Sequence, residues 1–387
     1  MLYRRRFRFE VGNFSASALL AAMLGGCGGS GAVVSGPSAV ADKIPNRVPV
    51  STVVPLRGIS DAALRAQAAA GMTLPFYTGS IKSPLDGKTY NYAIVGSDPT
   101  KSNATTTISY VPFELVVTFP DGTVLDPRQP ACNDTVSVSD RFYKGPNFVK
   151  TPLSSNGVNV GKVQLGDAFQ RAEFWTILLG NGYHTELKAV SSPVIVNYTP
   201  VDGTTSPGPI CTETNHRIGY TSFSDFDTFI QNIAQHYAKT NQAALFLTYN
   251  IVLTNGPYEY NGYHSAFSFS GGTQVYAAAG YFDRFVVGRD ISDINTWTHE
   301  IGELLNDPFG LNATPAWGHV GQVSGCQRNL EVGDPLSGGD FTLVYNNFTY
   351  HPQDLAFFSW FFRTPSTGTG GKYSFAGTFT KTQGLCT

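Results

Sequence analysis

The sequence predicts an α+β fold, and two observations support this prediction. Strand-like runs such as TYNYAIVG and TTTISYVPFELVVTF alternate with the turn sequences PLDGK and PDGT between residues 74 and 125. After residue 220 the pattern changes to a helix, several strands and another helix. We therefore expect a mixed or antiparallel sheet, with a strand-rich N-terminal part over residues 58–150 and an α+β domain over residues 151–387.

Residues 1–27 have the pattern of a bacterial signal peptide. An arginine-rich start is followed by an apolar run from Phe14 to Leu24, which is too short to span a bilayer as a helix. The sequence Leu24-Gly25-Gly26-Cys27 resembles the bacterial lipobox, whose cysteine is acylated. The resemblance implies export, a lipid anchor on Cys27 and, in a Gram-negative host, a place at the outer membrane or facing the periplasm. An ordinary signal peptide cut elsewhere is the alternative, and both Sec and twin-arginine export stay open.

The segment after the signal peptide has the composition of a linker. Residues 28–57 are rich in Gly, Ser, Ala, Val and Pro without any period, which predicts a flexible tether. The chain as a whole has 14% charged residues and a formal net charge of -2. It therefore lacks the basic surface that nucleic-acid binding needs.

Four cysteines follow Cys27, namely Cys132, Cys211, Cys326 and Cys386. An even number in an oxidising compartment predicts two disulfides. Three pairings are possible, and Cys132–Cys211 with Cys326–Cys386 is favoured because each pair lies within one half of the chain. The spacings contain no C-x-x-C and do not indicate a zinc knuckle.

Three segments have helical patterns. The first covers residues 165–179, and the second begins at Ser224, where Ser-Asp-Phe-Asp is typical of a capping box. Apolar side chains recur at helical spacing in the second segment and give it one buried face. The third covers residues 292–308, where Asp290, Ser292 or Asp293 can cap the start and Pro308 marks the end.

The third predicted helix contains the motif His299-Glu300-x-x-Glu303. In HExxH metallohydrolases, two ligands one helical turn apart bind one zinc ion, and the glutamate after the first histidine takes a proton from water. Glu303 can replace the second histidine because carboxylate oxygen also binds zinc, although such a site selects less strongly among divalent ions. His299 and Glu303 are therefore candidate ligands, and Glu300 is the candidate general base. The alternative is that these side chains form the solvated face of an amphipathic helix.

Further motifs follow this helix, namely Asp307-Pro308, Trp317 and Glu331-Val332-Gly333-Asp334. Together with the HEIGE motif they resemble secreted zincin-like proteins, among them the plant phosphate-induced (EXORDIUM-like) proteins and their bacterial relatives. The resemblance covers roughly residues 220–360. It implies a zincin-like α+β domain with a metal-site helix, Zn²⁺ or another divalent ion as cofactor, and a third ligand from Glu331 or Asp334, with Glu331 slightly favoured.

Three other histidines lie within reach of such a site. His264 is on a strand-like segment shortly before the helix, where zincins place the edge strand of the substrate cleft. It can bind substrate or polarise a carbonyl, and a hydrogen-bonded structural histidine is the alternative. His319 and His351 can approach a metal, but neither has a partner at ligand spacing.

The sequence thus predicts an exported, lipid-anchored, zincin-like metallohydrolase that acts on peptides. The alternative is an inactive scaffold of the same fold that binds peptide or glycan at the cell envelope, since the second histidine of HExxH is missing. The expected partners are the membrane, through the lipid on Cys27, and a peptide or cell-envelope polymer, with no nucleic acid. No G-x-S-x-G motif or phosphate-binding loop supports other chemistry.

Overall fold

The structure, a computed structural model, describes residues 50–178, 181–208, 211, 216–287 and 291–387. The predicted signal peptide, Cys27 and the tether up to residue 49 lie outside the described residues. The strands, in chain order, are β1 (Val50–Val54), β2 (Phe76–Lys82), β3 (Thr89–Val95), β4 (Thr105–Thr118), β5 (Val124–Leu125), β6 (Thr151–Ser155), β7 (Val158–Val163), β8 (His184–Ala189), β9 (Val194–Tyr198), β10 (Thr204–Ser206), β11 (Ile218–Ser222), β12 (Ala243–Tyr249), β13 (Ile251–Asn255), β14 (Tyr258–Phe269), β15 (Gly272–Tyr281), β16 (Ala313–Val320), β17 (Val323–Asn329), β18 (Leu343–Tyr345) and β19 (Phe348–Tyr350). The α-helices are α1 (Asp61–Ala69), α2 (Val138–Tyr143), α3 (Leu165–Glu173), α4 (Trp175–Leu178), α5 (Phe223–Tyr237), α6 (Asn295–Asn306) and α7 (Phe358–Phe362).

Eleven strands form one mixed sheet. Its main order is β10-β11-β13-β14-β15-β12-β4-β5, with β1 pairing with β14, and with β8 and β9 both pairing with β4. Strand β12 is parallel to β4 and β15, whereas β14 is antiparallel to β13 and β15. The other strands form the hairpins β2–β3, β6–β7, β16–β17 and β18–β19.

The centre of the sheet is buried on both faces. In β12, Leu245 and Leu247 belong to the core that contains α6, whereas Ala244 and Phe246 belong to the core that contains α5. Successive side chains of a strand point to opposite faces, so a strand covered on both sides must be apolar almost throughout. This explains the run ALFLTY at residues 244–249, in which Thr248 is the one clearly polar side chain.

The first two predicted helices form with shifted ends. The segment 165–179 divides into α3 and α4 at Phe174. Helix α5 begins at Phe223, because the hydroxyl of Ser222, and not that of Ser224, accepts from the N–H of Asp225 and caps the helix. Among the described helices, none is long and apolar enough to cross a bilayer.

The third predicted helix, α6, is buried along its whole length. Helix α6 has no side-chain N-cap, because no flanking side chain accepts a hydrogen bond from its first free N–H groups. The carboxylate of Asp293 instead accepts from the N–H of Ile294 at 2.6 Å. At the other end, the Asp307 carboxylate accepts from the N–H groups of Leu311 (2.9 Å) and Asn312 (3.0 Å). Asp307 therefore orders the turn that follows the helix.

The zincin-like fold predicted from the sequence is wrong. Strands make up 39% and helices 20% of the structure, and the sheet is large, curled and mixed, whereas zincin-like domains are helix-rich with a small sheet. The five-residue motif specifies one helical turn and its ligands, but it does not specify what packs around them. The β-branched and aromatic content of residues 105–118 and 243–281 determines the sheet.

The sheet joins parts of the chain that the sequence assigned to different regions. Strand β4, from the predicted N-terminal part, pairs with β12 of the predicted C-terminal domain. Strand β1 lies within the range predicted as a tether, and its Val53 is paired with His264 of β14. Valine and threonine favour extended backbone, which explains why VSTVV forms a strand once β14 offers an edge.

Both predicted disulfides are present with the favoured pairing, Cys132–Cys211 and Cys326–Cys386. The second connects β17 to the next-to-last residue of the chain. It therefore fixes the C-terminal end against the β16–β17 hairpin.

Candidate metal centre

Six ionisable side chains meet where α6 packs on β14. Each is 6% exposed or less, and they are His264, His299, Glu300, Glu303, Glu331 and Asp334. The interpretation of the α6 motif as a solvated face is therefore wrong. Ionisable groups at this depth cost free energy unless they are paired or bind a metal.

His264 lies on the face of β14 that contacts α6. Its Nε2 is 3.0 Å from the carbonyl oxygen of Asp307. A carbonyl can only accept, so Nε2 carries a proton. The other ring nitrogen, Nδ1, is directed at Glu300 and Glu303.

His299 has the same arrangement with its ring reversed. Its Nδ1 lies 3.2 Å from Oε1 of Gln353, whose Nε2 donates to the carbonyl of Gly333 at 2.7 Å. The Gly333 carbonyl fixes the orientation of the Gln353 amide, so that its oxygen faces His299. Nδ1 is therefore the protonated nitrogen, and Nε2 is directed at Glu303 and Asp334.

The first group of ligand atoms consists of His299, Glu303 and Asp334. Nε2 of His299 is 2.9 Å from Oε1 of Glu303 and 3.5 Å from Oδ1 of Asp334. The Asp334 carboxylate also accepts from the amides of Gln322 and Gln327, the latter at 2.9 Å. Among the described residues, Asp334 rather than Glu331 completes this group.

The second group consists of His264, Glu300 and Glu303. Nδ1 of His264 is 3.6 Å from Oε2 of Glu300 and 3.4 Å from Oε2 of Glu303. Glu303 therefore belongs to both groups, with Oε1 facing His299 and Oε2 facing His264. Each group could hold a metal ion.

Six buried atoms of this cluster have no hydrogen-bond partner in the described structure. They are Nδ1 of His264, Nε2 of His299, both carboxylate oxygens of Glu300, and Oε2 of Glu303 and of Glu331. Buried polar atoms are almost always hydrogen-bonded, so a concentration of unpartnered ones needs an explanation. All six are atoms that bind divalent metals.

Glu331, the slightly favoured third ligand in the sequence, lies beside Glu303. Its Oε1 accepts from the amide of Asn329 at 3.1 Å. Burial and the charge of Glu303 raise its pKa well above the ordinary value. Burial likewise raises the pKa of Asp307 to about 7, and that carboxylate serves the turn after α6.

The electrostatics of the cluster depend on the two imidazoles. Burial lowers the pKa of His264, but the carboxylates of Glu300 and Glu303 raise it to about 10. Burial also lowers the pKa of His299, and the charge of Glu303 raises it well above the ordinary value. Burial raises the pKa of Glu300. Burial acts in the same direction on Glu303, but the charge of His299 outweighs it and holds the pKa of Glu303 below its usual range. Burial and the charge of Glu303 raise the pKa of Asp334.

Gly333 explains the glycine in the Glu-Val-Gly-Asp element. Its N–H donates to Oε1 of Glu303 at 3.0 Å, and its carbonyl accepts from Gln353. A Cβ on this residue would lie 2.4 Å from Nδ1 of His299. Only glycine allows the loop to approach the ring this closely.

The other histidines considered from the sequence have different surroundings. His351 is paired with Asp293, the two side chains being 2.7 Å apart. His319 lies near Cys326, whose sulfur is bound in the disulfide with Cys386. Neither belongs to the cluster at α6.

One further set of ligand atoms is formed by Asp167, His184 and Glu186. His184 pairs with Asp167 at 2.7 Å, the other Asp167 oxygen accepts from the N–H of Thr185, and Glu186 pairs with Lys150 at 2.5 Å. None of these three side chains has a buried atom without a hydrogen-bond partner, whereas the cluster at α6 has six such atoms.

The sequence did not indicate the glutamines that surround the ligands. Gln353 orients His299, and Gln322 and Gln327 hold Asp334. These residues are far from α6 in sequence and belong to no motif.

No protein-family model, no curated protein and no solved structure matches this chain.

Proposed function

We propose that this protein binds a divalent metal ion through His299, Glu303 and Asp334, and that the centre hydrolyses a peptide bond. The observation that carries the proposal is the orientation of the two imidazoles. Each has one nitrogen committed to a protein acceptor and the other directed at the shared carboxylate of Glu303, at 2.9 Å from His299 and 3.4 Å from His264, without the geometry of a hydrogen bond. Metal-binding histidines are commonly oriented by such an outer hydrogen bond.

The distances support a metal as the missing partner. Two atoms bound to one ion at about 2.1 Å are about 3.0 Å apart at a right angle and about 3.4 Å apart at a tetrahedral angle. The separations from Nε2 of His299 are 2.9 Å to Glu303 and 3.5 Å to Asp334. These are the edge lengths that a common ion would give.

The donor set is one imidazole nitrogen and two carboxylates. Such a set suits zinc, and it also suits manganese or another divalent ion of intermediate hardness. These carboxylates face histidine nitrogens at 2.9 to 3.5 Å, and a bound cation would displace the proton from the facing nitrogen of His299 and supply the positive charge in its place. The residues therefore fit the cofactor expected from the motif.

Glu300 has the position and the chemistry of a general base. Both of its oxygens are buried without a hydrogen-bond partner, and it follows His299 directly on α6. A bound divalent ion makes water more acidic and polarises a substrate oxygen. Glu300 can take the proton from water and return it to the leaving amine, while Gln322 and Gln327 hold Asp334 in place.

A substrate would have to approach from the side of Asp334, the most exposed member of the centre at 6%. Gln322 covers this side, and it exchanges two hydrogen bonds with the backbone of Ser51 in β1, at 3.2 and 2.7 Å. Hydrolysis therefore requires that β1 or the β16–β17 hairpin moves outwards.

We further propose that the protein acts outside the cytoplasm, anchored by a lipid on Cys27 to the membrane and facing a peptide or cell-envelope polymer. The two disulfides support an oxidising compartment. A lipidation test on intact cells, in which Cys27→Ser should release the protein from membranes, checks this part separately.

The test of the metal site is elemental analysis of the purified protein beside His299→Ala. The control is His236→Ala, because His236 is an exposed histidine on α5. We expect bound metal in the wild type and the control and its loss from His299→Ala. Equal metal, or none, in all three folded proteins would contradict the proposal. Glu300→Gln should then keep the ion and lose hydrolysis of a peptide library.

A second candidate function is ligand binding without catalysis, and two observations favour it. The ligand atoms are almost fully buried, as in closed structural metal sites. A separate groove of about 570 Å³ lies between α1 and the β2–β3 hairpin and is lined by Tyr77, Tyr90 and Tyr92. Aromatic rings of this kind contact glycans or peptides. Under this function a chelator lowers the melting temperature, and no peptide in the library is cleaved.

A further inference from the structure

The second group of ligand atoms, at His264, has no role in the mononuclear site proposed above. It shares Glu303 with the first group, but uses the opposite oxygen of that carboxylate. A carboxylate that presents one oxygen to each of two such groups is the arrangement of a bridging ligand.

We propose that the protein binds two divalent cations, the second held by His264, Glu300 and Glu303, with the Glu303 carboxylate bridging the pair. This inference rests on the proposed metal site at His299 and adds a second ion to it. Hydrolytic enzymes with two metals place the ions about 3.5–4 Å apart, which a bridging carboxylate spans.

The geometry around His264 does not suit hydrogen bonds. Its Nδ1 is 3.4 Å from Glu303 and 3.6 Å from Glu300, whereas a charged N–H donor lies about 2.7–2.9 Å from a carboxylate oxygen. The same separations suit two ligands of one ion, which are about 3.4 Å apart at a tetrahedral angle. The three groups are therefore spaced around a point between them.

The tautomer of His264 supports the same conclusion. Nε2 donates to the Asp307 carbonyl, so the neutral ring has its lone pair on Nδ1. Nδ1 is fully buried and unpartnered. The ring is thus held by an outer acceptor and offers its free nitrogen to the interior, as metal-binding histidines do.

The neighbouring backbone leaves room for this site. Gly262 precedes His264 by two residues and so lies on the same face of β14. A Cβ on Gly262 would be 2.8 Å from Oε1 of Glu300. Glycine at this position lets the Glu300 carboxylate lie against the strand, with Oε2 directed at His264.

The second ion would extend the role of Glu300. Its Oε2 becomes a ligand, and its Oε1, which also lacks a partner, remains available to take a proton. The two ions would then lie on either side of the Glu303 carboxylate, with His299 and Asp334 on one side and His264 and Glu300 on the other.

The experiment loads the purified, metal-depleted protein with Mn²⁺ alone, then measures the bound equivalents and the electron paramagnetic resonance spectrum. The variants are His264→Ala and His299→Ala. The control is His184→Ala, which tests the separate group at Asp167. Circular dichroism tests whether each variant is folded. If a variant fails to fold, the electron paramagnetic resonance spectrum of the wild type alone decides whether the two ions are coupled.

We expect two equivalents with exchange-coupled spectra in the wild type and in His184→Ala, and one uncoupled equivalent in His264→Ala. One equivalent in the wild type, lost in His299→Ala, would overturn the second site and leave the proposed function standing. No bound metal would contradict both. Two uncoupled ions, or loss of one in His184→Ala, would overturn the bridged pair.

Discussion

Nε2 of His264 donates a hydrogen bond to the backbone carbonyl of Asp307 across 3.0 Å, and this bond joins strand β14 to the end of α6. The position of the carbonyl depends on the Asp307 side chain, which holds the following turn through Leu311 and Asn312. A residue without a ligand role therefore orients one of the two imidazoles.

The first prediction concerns Asp307. Asp307→Ala leaves the N–H groups of Leu311 and Asn312 without this acceptor; the bond from Asn312 is buried, whereas Leu311 is partly exposed to water. An unsatisfied buried N–H costs about 1–3 kcal/mol. We expect a loss of about 1–3 kcal/mol in the free energy of unfolding, measured in urea, together with weaker metal binding. The exposed Asp202→Ala serves as control. Unchanged stability in Asp307→Ala would show that the turn does not depend on this carboxylate.

The second prediction concerns the orientation of His299. Gln353→Met keeps the size of the side chain and removes the acceptor of the Nδ1 proton. Loss of such an outer partner weakens metal binding by about 10–100-fold. Isothermal titration with Zn²⁺ measures this, with the exposed Gln129→Met as control. If both variants bind as the wild type does, Gln353 does not orient the ring.

The third prediction concerns the contact between Gly333 and His299. An alanine Cβ at 333 would lie 2.4 Å from Nδ1 of the buried His299, so the ring or the loop would have to shift. We expect Gly333→Ala to bind metal at least about 10-fold more weakly, because ligands must be held precisely. Gly325→Ala is the matched control, since a Cβ there meets no atom within 4 Å. Equal affinities in the two variants would contradict this account.

The fourth prediction concerns pH and the buried Glu173, away from the metal centre. Burial raises its pKa well above the model-peptide value of 4.5, and its Oε1 has no partner. The native state therefore keeps a proton that the unfolded chain releases, so stability falls as the pH rises above about 4.5. Glu173→Gln should be more stable than the wild type by about 1–3 kcal/mol at pH 7 and similar at pH 3.

The comparison of Glu173→Gln with the wild type needs a control for changes in net charge. The exposed Asp202→Asn changes the charge by the same amount without altering a buried group. Melting curves from pH 3 to pH 7 should diverge for Glu173→Gln and stay parallel for Asp202→Asn. A constant difference across this range would show that Glu173 is ionised in the native state.

The fifth prediction concerns the Cys326–Cys386 disulfide, whose residues are 60 apart in the chain. Closing a loop of this length removes conformational entropy from the unfolded chain worth about 4 kcal/mol. The double variant Cys326→Ser, Cys386→Ser should lose stability of this order in urea unfolding. Reducing agent should destabilise the wild type by breaking both disulfides. In the double variant it can break only Cys132–Cys211, so the only further loss of stability is the contribution of that disulfide. A variant as stable as the wild type would contradict the prediction.

The sequence indicated the residues of the buried cluster but not the fold that brings them together. Glu303 lies four residues after His299 and three after Glu300 on one helix, so local geometry brings these side chains close together whatever surrounds them. His264, Glu331 and Asp334 were named as candidates from the resemblance to zincin-like proteins, and all three lie in the buried cluster. The zincin-like fold failed because pairings such as β4 with β12 join residues more than 120 apart, and no local pattern encodes them.

The outer residues of the centre were missed for a similar reason. Gln353 and Gln322 reach the centre only because long-range contacts of the fold bring them there. Glutamine is also common on ordinary protein surfaces, so its presence in the sequence indicates no site. Strand β1 was assigned to the tether because composition describes a segment alone. Whether VSTVV forms a strand depends on the free edge of β14, which the segment itself does not reveal.

Strand β1 also sets an order of assembly. Ser51 is hydrogen-bonded to Gln322, 271 residues later, so this contact of β1 cannot form until the chain has been made as far as Gln322. Contacts over such separations form late in folding, because the intervening chain must be ordered first. Until then the side of the cluster at Asp334 lacks the contact of Gln322 with β1. For the proposed metal centre, the ions available in the compartment where folding finishes, rather than in the compartment of synthesis, would then decide which metal is bound.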